Sequence, residues 1–312
     1  MAAFELIRRA DLEAIPVSFP DPFLVDRLAP YFERRQEGGT LYYQTLKEAP
    51  VAQYNRDTAA LADITANAIA AATTSFACKE VRARISMSYD QVRGYYSQED
   101  ADIAMAKLAK RAFYLKLEGL CANAILDPGE GTPADATADP VGVIDAAQAE
   151  LRDKAYGTGK IALTLSHYNF AALKKNAQVI ERMKATGVFT DGLAPRYITA
   201  EQLAAIFGVD EVLVGADITW RHGIVDTDAK GYAALSVLPD PEVDCSAEPQ
   251  WARTIIFDWG GDADHYELLG FENPINHSQN LDAVGIVDFK ELNADMKSVV
   301  KLFDVDASTS GE

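Results

Sequence analysis

The chain has 312 residues, 48% hydrophobic and 24% charged, with 47 Asp and Glu against 29 Lys and Arg for a formal charge of −18. That length and hydrophobicity suit one large core or two modest ones and exclude disorder, while the acidity excludes a binder that works by replacing counterions on nucleic acid phosphates. No apolar run approaches the roughly 20 residues of a membrane span, Arg8 and Arg9 follow the first apolar residues where a signal peptide would have them precede, and Cys78, Cys121 and Cys245 are too few and too scattered for a disulfide framework, so reduced, cytosolic folding is expected.

Residues 1–40 read as an extended arm, because Pro16, Pro20, Pro22 and Pro30 interrupt every periodic pattern before it can grow. An arm without its own core must pack on something else, and neighbouring subunits are the expected supply. Residues 40–46, with Leu41, Tyr42 and Tyr43, read as strand. Over 81–89, Val81, Ala83, Ile85, Met87 and Tyr89 alternate with Arg82, Arg84, Ser86 and Ser88, the period of a half-buried strand. Between them, 57–72 is Ala-rich and weakly helical, with little to fill a core.

The clearest helix runs from Ser97 to about Leu126. Ser97 and Asp100 suit a capping box, and Glu99, Asp100 and Asp102 crowd a first turn where the helix dipole favours anions. Ala101, Met105, Leu108, Ala112, Leu115 and Gly119 share a stripe, predicted to be buried along about 40 Å of helix. Lys107, Lys110, Arg111, Tyr114 and Glu118 are assigned to the other side. Asp127-Pro128-Gly129 ends the helix, and 129–140 reads as a loop or domain junction.

The second half has an α/β texture. Residues 160–165 form a short apolar strand, Ser166 a cap, and 168–184 one helical pattern bearing Phe170, Leu173, Val179, Ile180 and Met183. A helix over 199–207 opens on a Thr199/Gln202 capping box and closes on Gly208, before a strand at 211–215. Residues 253–259, 266–271 and 284–289 read as strands of an antiparallel sheet. The segment 293–303 fits helix or strand, and the tail from Asp304 reads as a surface end.

Two runs carry a resemblance: KIALTLSHYNFAALKKNAQVIERMK from Lys160 to Lys184, and ITAEQLAAIFGVDEVLVGA from Ile198 to Ala216. A strand ending in Ser, a Leu-Lys-x-Asn helix, a Thr-x-x-x-Leu helix and a Phe-Gly-Val-x-x-Val-x-Val-Gly turn follow in order. This arrangement resembles the axial-domain core of tailed-bacteriophage major capsid proteins, over roughly residues 90 to 220. The resemblance implies an α+β, Hong Kong 97-type capsid fold with an N-terminal arm (1–40), an extended hairpin loop (41–90), a peripheral domain with a long spine helix (91–135 and 245–312) and an axial domain (136–244). It implies a structural subunit, not an enzyme and without cofactor, that self-assembles into hexamers and pentamers of an icosahedral shell around double-stranded DNA. Scaffolding, portal and decoration proteins are the implied partners, with no membrane, and the implied location is the virion after assembly in the host cytoplasm. An encapsulin-like nanocompartment shell is the alternative, and a cytosolic α/β enzyme a weaker one. No delta-like scaffold segment and no identifiable Lys–Asn cross-linking pair stand in the sequence.

Gly157-Thr158-Gly159-Lys160 precedes its strand, where a P-loop would follow one, and reads as a turn. Asp262, Asp264 and His265 are the metal candidates, since two carboxylates and an imidazole can converge on a hard cation. A hairpin turn supplied by Gly260, Gly261 and the aspartates is the preferred reading there. His167 beside Ser166 lacks an acid partner for a triad, and His222 and His277 lie in loops without ligand spacing. Trp220, Trp251 and Trp259 read as core or interface anchors.

Overall fold

A computed structural model of the chain describes residues 7–15, 23–45, 71–95, 97–127, 134–135, 139–154, 159–185, 198–215, 231–243, 245, 250–257 and 265–302. The arm supplies β1 (Ile7–Arg8), α1 (Ala10–Glu13), α2 (Val25–Leu28) and β2 (Tyr31–Arg34). β3 (Gly38–Gln44) and β4 (Ala71–Ala77) pair with each other, and Cys78 alone separates β4 from β5 (Lys79–Ser88). A complete capping box between Ser88 and Gln91 opens α3 (Tyr89–Arg93), which leads into α4 (Gln98–Leu126), 29 residues long. β6 (Ala134–Asp135), α5 (Pro140–Lys154), β7 (Lys160–Ser166), α6 (His167–Leu173), α7 (Ala177–Ala185), α8 (Ala200–Phe207) and β8 (Glu211–Gly215) follow. The remaining strands are β9 (Tyr232–Leu238), β10 (Ala252–Phe257), β11 (Glu267–Asn273), β12 (Ser278–Glu291) and β13 (Lys297–Lys301).

Among the described residues the strands make a six-stranded sheet, a five-stranded sheet and the β3–β4 pair. The six-stranded sheet is organised by β12: one edge pairs with β11 and then β10, and the other pairs with β5 from Ser278↔Ser88 to Val287↔Lys79. Its outer members come from the arm, β1 antiparallel to β11 and β2 parallel to β10. The five-stranded sheet runs β6-β13-β9-β7-β8. The chain therefore returns to this second sheet at β13, which the expected 245–312 grouping had placed with the other unit. β5, expected within the 41–90 loop, is a full member of the first sheet because its alternating face, with Ala83 and Met87 buried, needs a cover.

Several local expectations hold. Ser97 Oγ accepts the Asp100 N–H at 3.1 Å, and the Thr199/Gln202 box is complete with Gly208 left-handed at φ 65°. The single helix expected over 168–184 is two helices instead. Asn176 interrupts it, its Oδ1 accepting the N–H groups of Gln178 at 2.9 Å and Val179 at 3.3 Å, because Asn side chains compete with the helical backbone. The undecided segment 293–303 resolves as a 3-10 turn, Ala294–Met296, followed by β13. Most of 57–72 and the tail from Asp304 lie outside the described residues.

α4 packs directly on the first sheet at Gly285, where a Cβ would lie 2.6 Å from Phe113 Cζ and 2.7 Å from the His265 carbonyl oxygen. Phe113 also meets the Tyr266 ring at 5.4 Å between centroids. The main core threads arm residues Leu12, Leu24, Val25 and Leu28 onto α4 and continues into Leu163, Leu235 and Val300 of the second sheet.

The predicted buried stripe of α4 needs correction. Ala101 and Met105 are buried, but Ala112, Leu115 and Gly119 are half-buried and Leu108 is 48% exposed. The core side is built from Met105, Ala106, Ala109, Phe113, Leu117, Cys121 and Ile125, and it includes Lys110 and Glu118, each 2% exposed. Two surfaces cover the helix, sheet on one side and arm on another, so its buried face turns along its length and departs from a single stripe.

Leu108→Asp should accordingly fold with a stability change within about 0.5 kcal/mol. Gly285→Ala, which forces helix and strand apart, should cost about 1 to 3 kcal/mol. Chemical denaturation measures both, and a large loss for Leu108→Asp beside a neutral Gly285→Ala would reverse the assignment of faces.

Candidate functional site: two faces of the long helix

The inward face of α4 is a rail for the arm. Asp102, Lys110 and Glu118 stand eight residues apart, about 12 Å of helix rise per step, and each meets a different kind of partner. Asp102 Oδ2 takes a 2.9 Å hydrogen bond from Arg9 Nη2. Lys110 Nζ donates to the carbonyl oxygens of Glu13 and Ile15, both at 2.8 Å. Glu118 accepts the N–H of Leu24 at 3.0 Å through Oε1 and that of Val25 at 2.8 Å through Oε2. A buried ammonium and a buried carboxylate would each be costly alone. Here each is matched to backbone groups of the opposite polarity that an irregular, proline-interrupted arm cannot pair within itself. The described segments of the arm thus lie on α4 of the same chain.

The outward face is largely open among the described residues. Lys107, Leu108, Arg111, Lys116 and Leu120 are exposed along it, with Ala112, Leu115 and Gly119 half-covered. A groove of about 400 Å³ beside it is lined by Ile85, Met87, Gln91, Tyr95 and Leu108. The outer edge of β5 has no strand partner among the described residues. Lys116 Nζ donates to the Arg82 carbonyl on that strand, the kind of lysine guard that open sheet edges carry.

The β3–β4 pair is held against the body of the chain from its base to Gln44. Leu41 and Phe76 bury against Cys245, Ile255 and Leu292. Gln44 N–H donates to the Cys245 carbonyl at 2.8 Å, and Asn293 Nδ2 to the Gln44 carbonyl at 3.1 Å. Ala77 N–H donates to Asp288 Oδ2 at 2.9 Å. Between Leu41 and Gln44, Tyr42 is 60% exposed.

The residues singled out for chemistry fall elsewhere. Asp262 and Asp264 lie outside the described residues, as do Trp220, His222 and Trp259. His265 stacks on Tyr31 with centroids 4.2 Å apart. Ser166 Oγ is occupied as a helix cap, accepting the Asn169 N–H at 3.1 Å, and His167 points to solvent from the same turn. Gly159 takes φ +87°, where a Cβ would meet Val237 Cγ1 at 2.4 Å, so it serves a tight approach to β9. His277 is a turn residue at φ 46°. Trp251 is fully buried against Phe289. Burial pushes the Cys121 thiol well above its usual range, and burial followed by the nearby Asp288 and Glu37 pushes Cys78 up to about 11, so neither is a poised nucleophile. Among the described residues no group of three or more His, Cys, Asp or Glu is placed to hold a metal. Sequence periodicity missed Lys110 and Glu118 because a charge inside an apolar pattern reads as solvated; the wide, turning band of apolar residues around 105–125 was the available signal.

A crystal structure of a phage-related protein from Bordetella bronchiseptica RB50 is similar over 95% of this chain and 98% of its own, with TM-score 0.66 and 16% identity. The mature capsid protein of bacteriophage PhiM1 is similar over 94% and 90%, with TM-score 0.53 and 13% identity. The capsid of cyanophage P-SCSP1u is similar over 93% and 91%, with TM-score 0.55 and 10% identity. No family model and no curated protein matches the sequence. At these identities the likeness is one of fold, and the fold is the α+β fold of phage major capsid proteins, of Hong Kong 97 type.

Glu118→Ala should strand the Leu24 and Val25 N–H groups in the core at a cost of about 1 to 3 kcal/mol. Hydrogen exchange should then show those two amides losing protection ahead of the α4 backbone. Unchanged protection at Leu24 and Val25 would remove the carboxylate from its proposed hold on the arm.

Proposed function

We propose that this chain is the major capsid protein of a tailed bacteriophage, a structural subunit without catalytic activity that assembles with copies of itself into hexamers and pentamers of an icosahedral shell around double-stranded DNA. The observation that carries the proposal is the β3–β4 pair within a capsid fold that spans nearly the whole chain. It is held on one face through Leu41, Gln44 and Phe76, is joined by no third strand among the described residues and exposes Tyr42. A two-stranded ribbon is marginal in water by itself, so a second copy is its natural support. The outward face of α4, with Leu108, Leu115 and Leu120, offers matching apolar area on that copy. In this reading the six-stranded sheet with α4 is the peripheral domain, the five-stranded sheet the axial domain, and the virion the location. Assembly in the host cytoplasm with scaffolding, portal and decoration proteins belongs to the same proposal.

Electron microscopy of the purified full chain tests it directly, with closed shells as the expected result. Because copies at −18 repel one another, light scattering should show assembly rising as salt shortens the screening length toward about 8 Å. Replacing residues 46–70 by a short Gly/Ser linker between β3 and β4 should leave a folded, cooperatively melting subunit that forms no closed shells, read by circular dichroism and sedimentation velocity on one sample. Normal shells from that variant, or a full chain that stays monomeric at every salt concentration, would overturn the proposal.

A further inference from the structure

Between β11 and β12 the chain turns through Asn273-Pro274-Ile275-Asn276-His277, and Ile275 is 77% exposed, the most open of the large hydrophobic side chains among the described residues. The turn is not slack. Asn273 Oδ1 accepts the N–H groups of Ile275 at 3.1 Å and Asn276 at 3.4 Å, Pro274 fixes its own φ, and the His277 carbonyl accepts the Tyr89 N–H at 2.9 Å. An aliphatic side chain is thus held out in water in a fixed place, with little ordering left for a partner to impose.

Beside this hairpin, between β1, β11, β12 and the first turns of α4, lies a groove of about 660 Å³. Its floor is apolar, made of the buried Leu12, Met105 and Leu281, and the exposed Ile7 stands on its rim. Its wall is polar. Gln98 Nε2 donates to Asp102 Oδ1 at 2.9 Å and to Gln279 Oε1 at 2.8 Å. One acceptor, Gln98 Oε1, and one donor, Gln279 Nε2, are left over without a partner among the described residues, and an amide group carries the matching donor and acceptor. The tip does not reach its own groove, because ladder pairs from Glu267↔Val284 to Asn273↔Ser278 keep the hairpin extended up to the turn.

We propose that the hairpin tip of a second copy occupies this groove, with Ile275 seated on Leu12, Met105 and Leu281 and the Asn276 amide paired with Gln98 and Gln279. Two observations select a second copy over an unrelated protein. The chain itself presents both halves of the contact, an aliphatic knob with an amide beside it and an apolar floor with an amide's complement on its wall. The contact is also small. A lone complex takes about 20–30 residues a side, more than tip and groove supply, so it gains strength where many copies repeat it alongside other contacts. It requires self-association, as in the proposed shell, and is independent of where the β3–β4 ribbon seats.

Disulfide trapping on the full-length chain with Cys78→Ala tests it, since Cys121 and Cys245 are buried. One preparation carries Ile275→Cys and the other Ile7→Cys, and the two are mixed at a salt concentration that favours association. Proximity should make oxidation join these unlike copies about tenfold more than it joins Ile275→Cys to Tyr168→Cys, an exposed site on α6, or Ile275→Cys to itself. A non-reducing gel and mass spectrometry read the product. In parallel, the chain concentration at which light scattering reports association should rise about tenfold for Ile275→Asp, with an unchanged melting temperature, and stay as in the parent for Ile275→Met. Equal trapping in all three samples, or an Ile275→Asp variant that associates like the parent, would overturn the contact. Closed shells without the trapped pair would remove this contact and leave the shell standing, whereas the trapped pair without closed shells would do the reverse.

Discussion

Everything else in this subunit depends on how an irregular arm satisfies its backbone. Four prolines keep residues 1–40 from building regular structure of their own, yet segments of that arm pass under cover, where an unpaired N–H or C=O is expensive. α4 answers with charges: an ammonium for two carbonyls, a carboxylate for two amides. Because Lys110 and Glu118 turn inward, part of the helix's apolar surface turns outward. The same geometry that stabilises the arm thus leaves Leu108 and Leu120 exposed.

The arm in turn finishes the first sheet. β1 and β2 come from opposite ends of the described arm and pair on β11 and β10, which follow one another along one edge of β12. The face of β12 turned away from α4 is closed by ions. Asp282 is fully buried beneath Arg82 and Arg84, and Arg84 lies 4.7 Å above the Phe271 ring. Long cationic side chains lend their stems as a roof while keeping their charged ends near water, so a sheet covered by one helix leaves no bare apolar face on its other side.

How much of this the sequence disclosed depends on how local each determinant is. Caps were legible because they operate over three residues: Ser97, Ser166 and Thr199 all hold their expected amides. The alternation over 81–89 was legible because a strand has a two-residue period. The split at Asn176 was missed although the signal was local, since an Asn inside an apolar pattern reads equally as a surface residue. The face of α4 was missed for a different reason. The partners of Lys110 and Glu118 lie more than ninety positions away in the chain, and no periodicity reports a contact with an arm. Likewise the placement of β13 beside β9 depends on register across some sixty residues, which no local pattern encodes. Of the stripe read as buried, Ala101 and Met105 are buried, Ala112, Leu115 and Gly119 are half-covered and Leu108 is open.

The continuity at Cys78 has a mechanical side. With one residue between them, β4 and β5 form a nearly unbroken extended segment from the β3–β4 ribbon into the first sheet. Ladder hydrogen bonds lie across the strand direction. A pull on the ribbon along its length therefore loads the β5–β12 pairs from Lys79 to Ser88 in shear, together and not one after another. Tension arriving at the ribbon is spread over ten residue pairs and passed through β12 to β10 and β11, so that the load is shared across the sheet before any one pair must give.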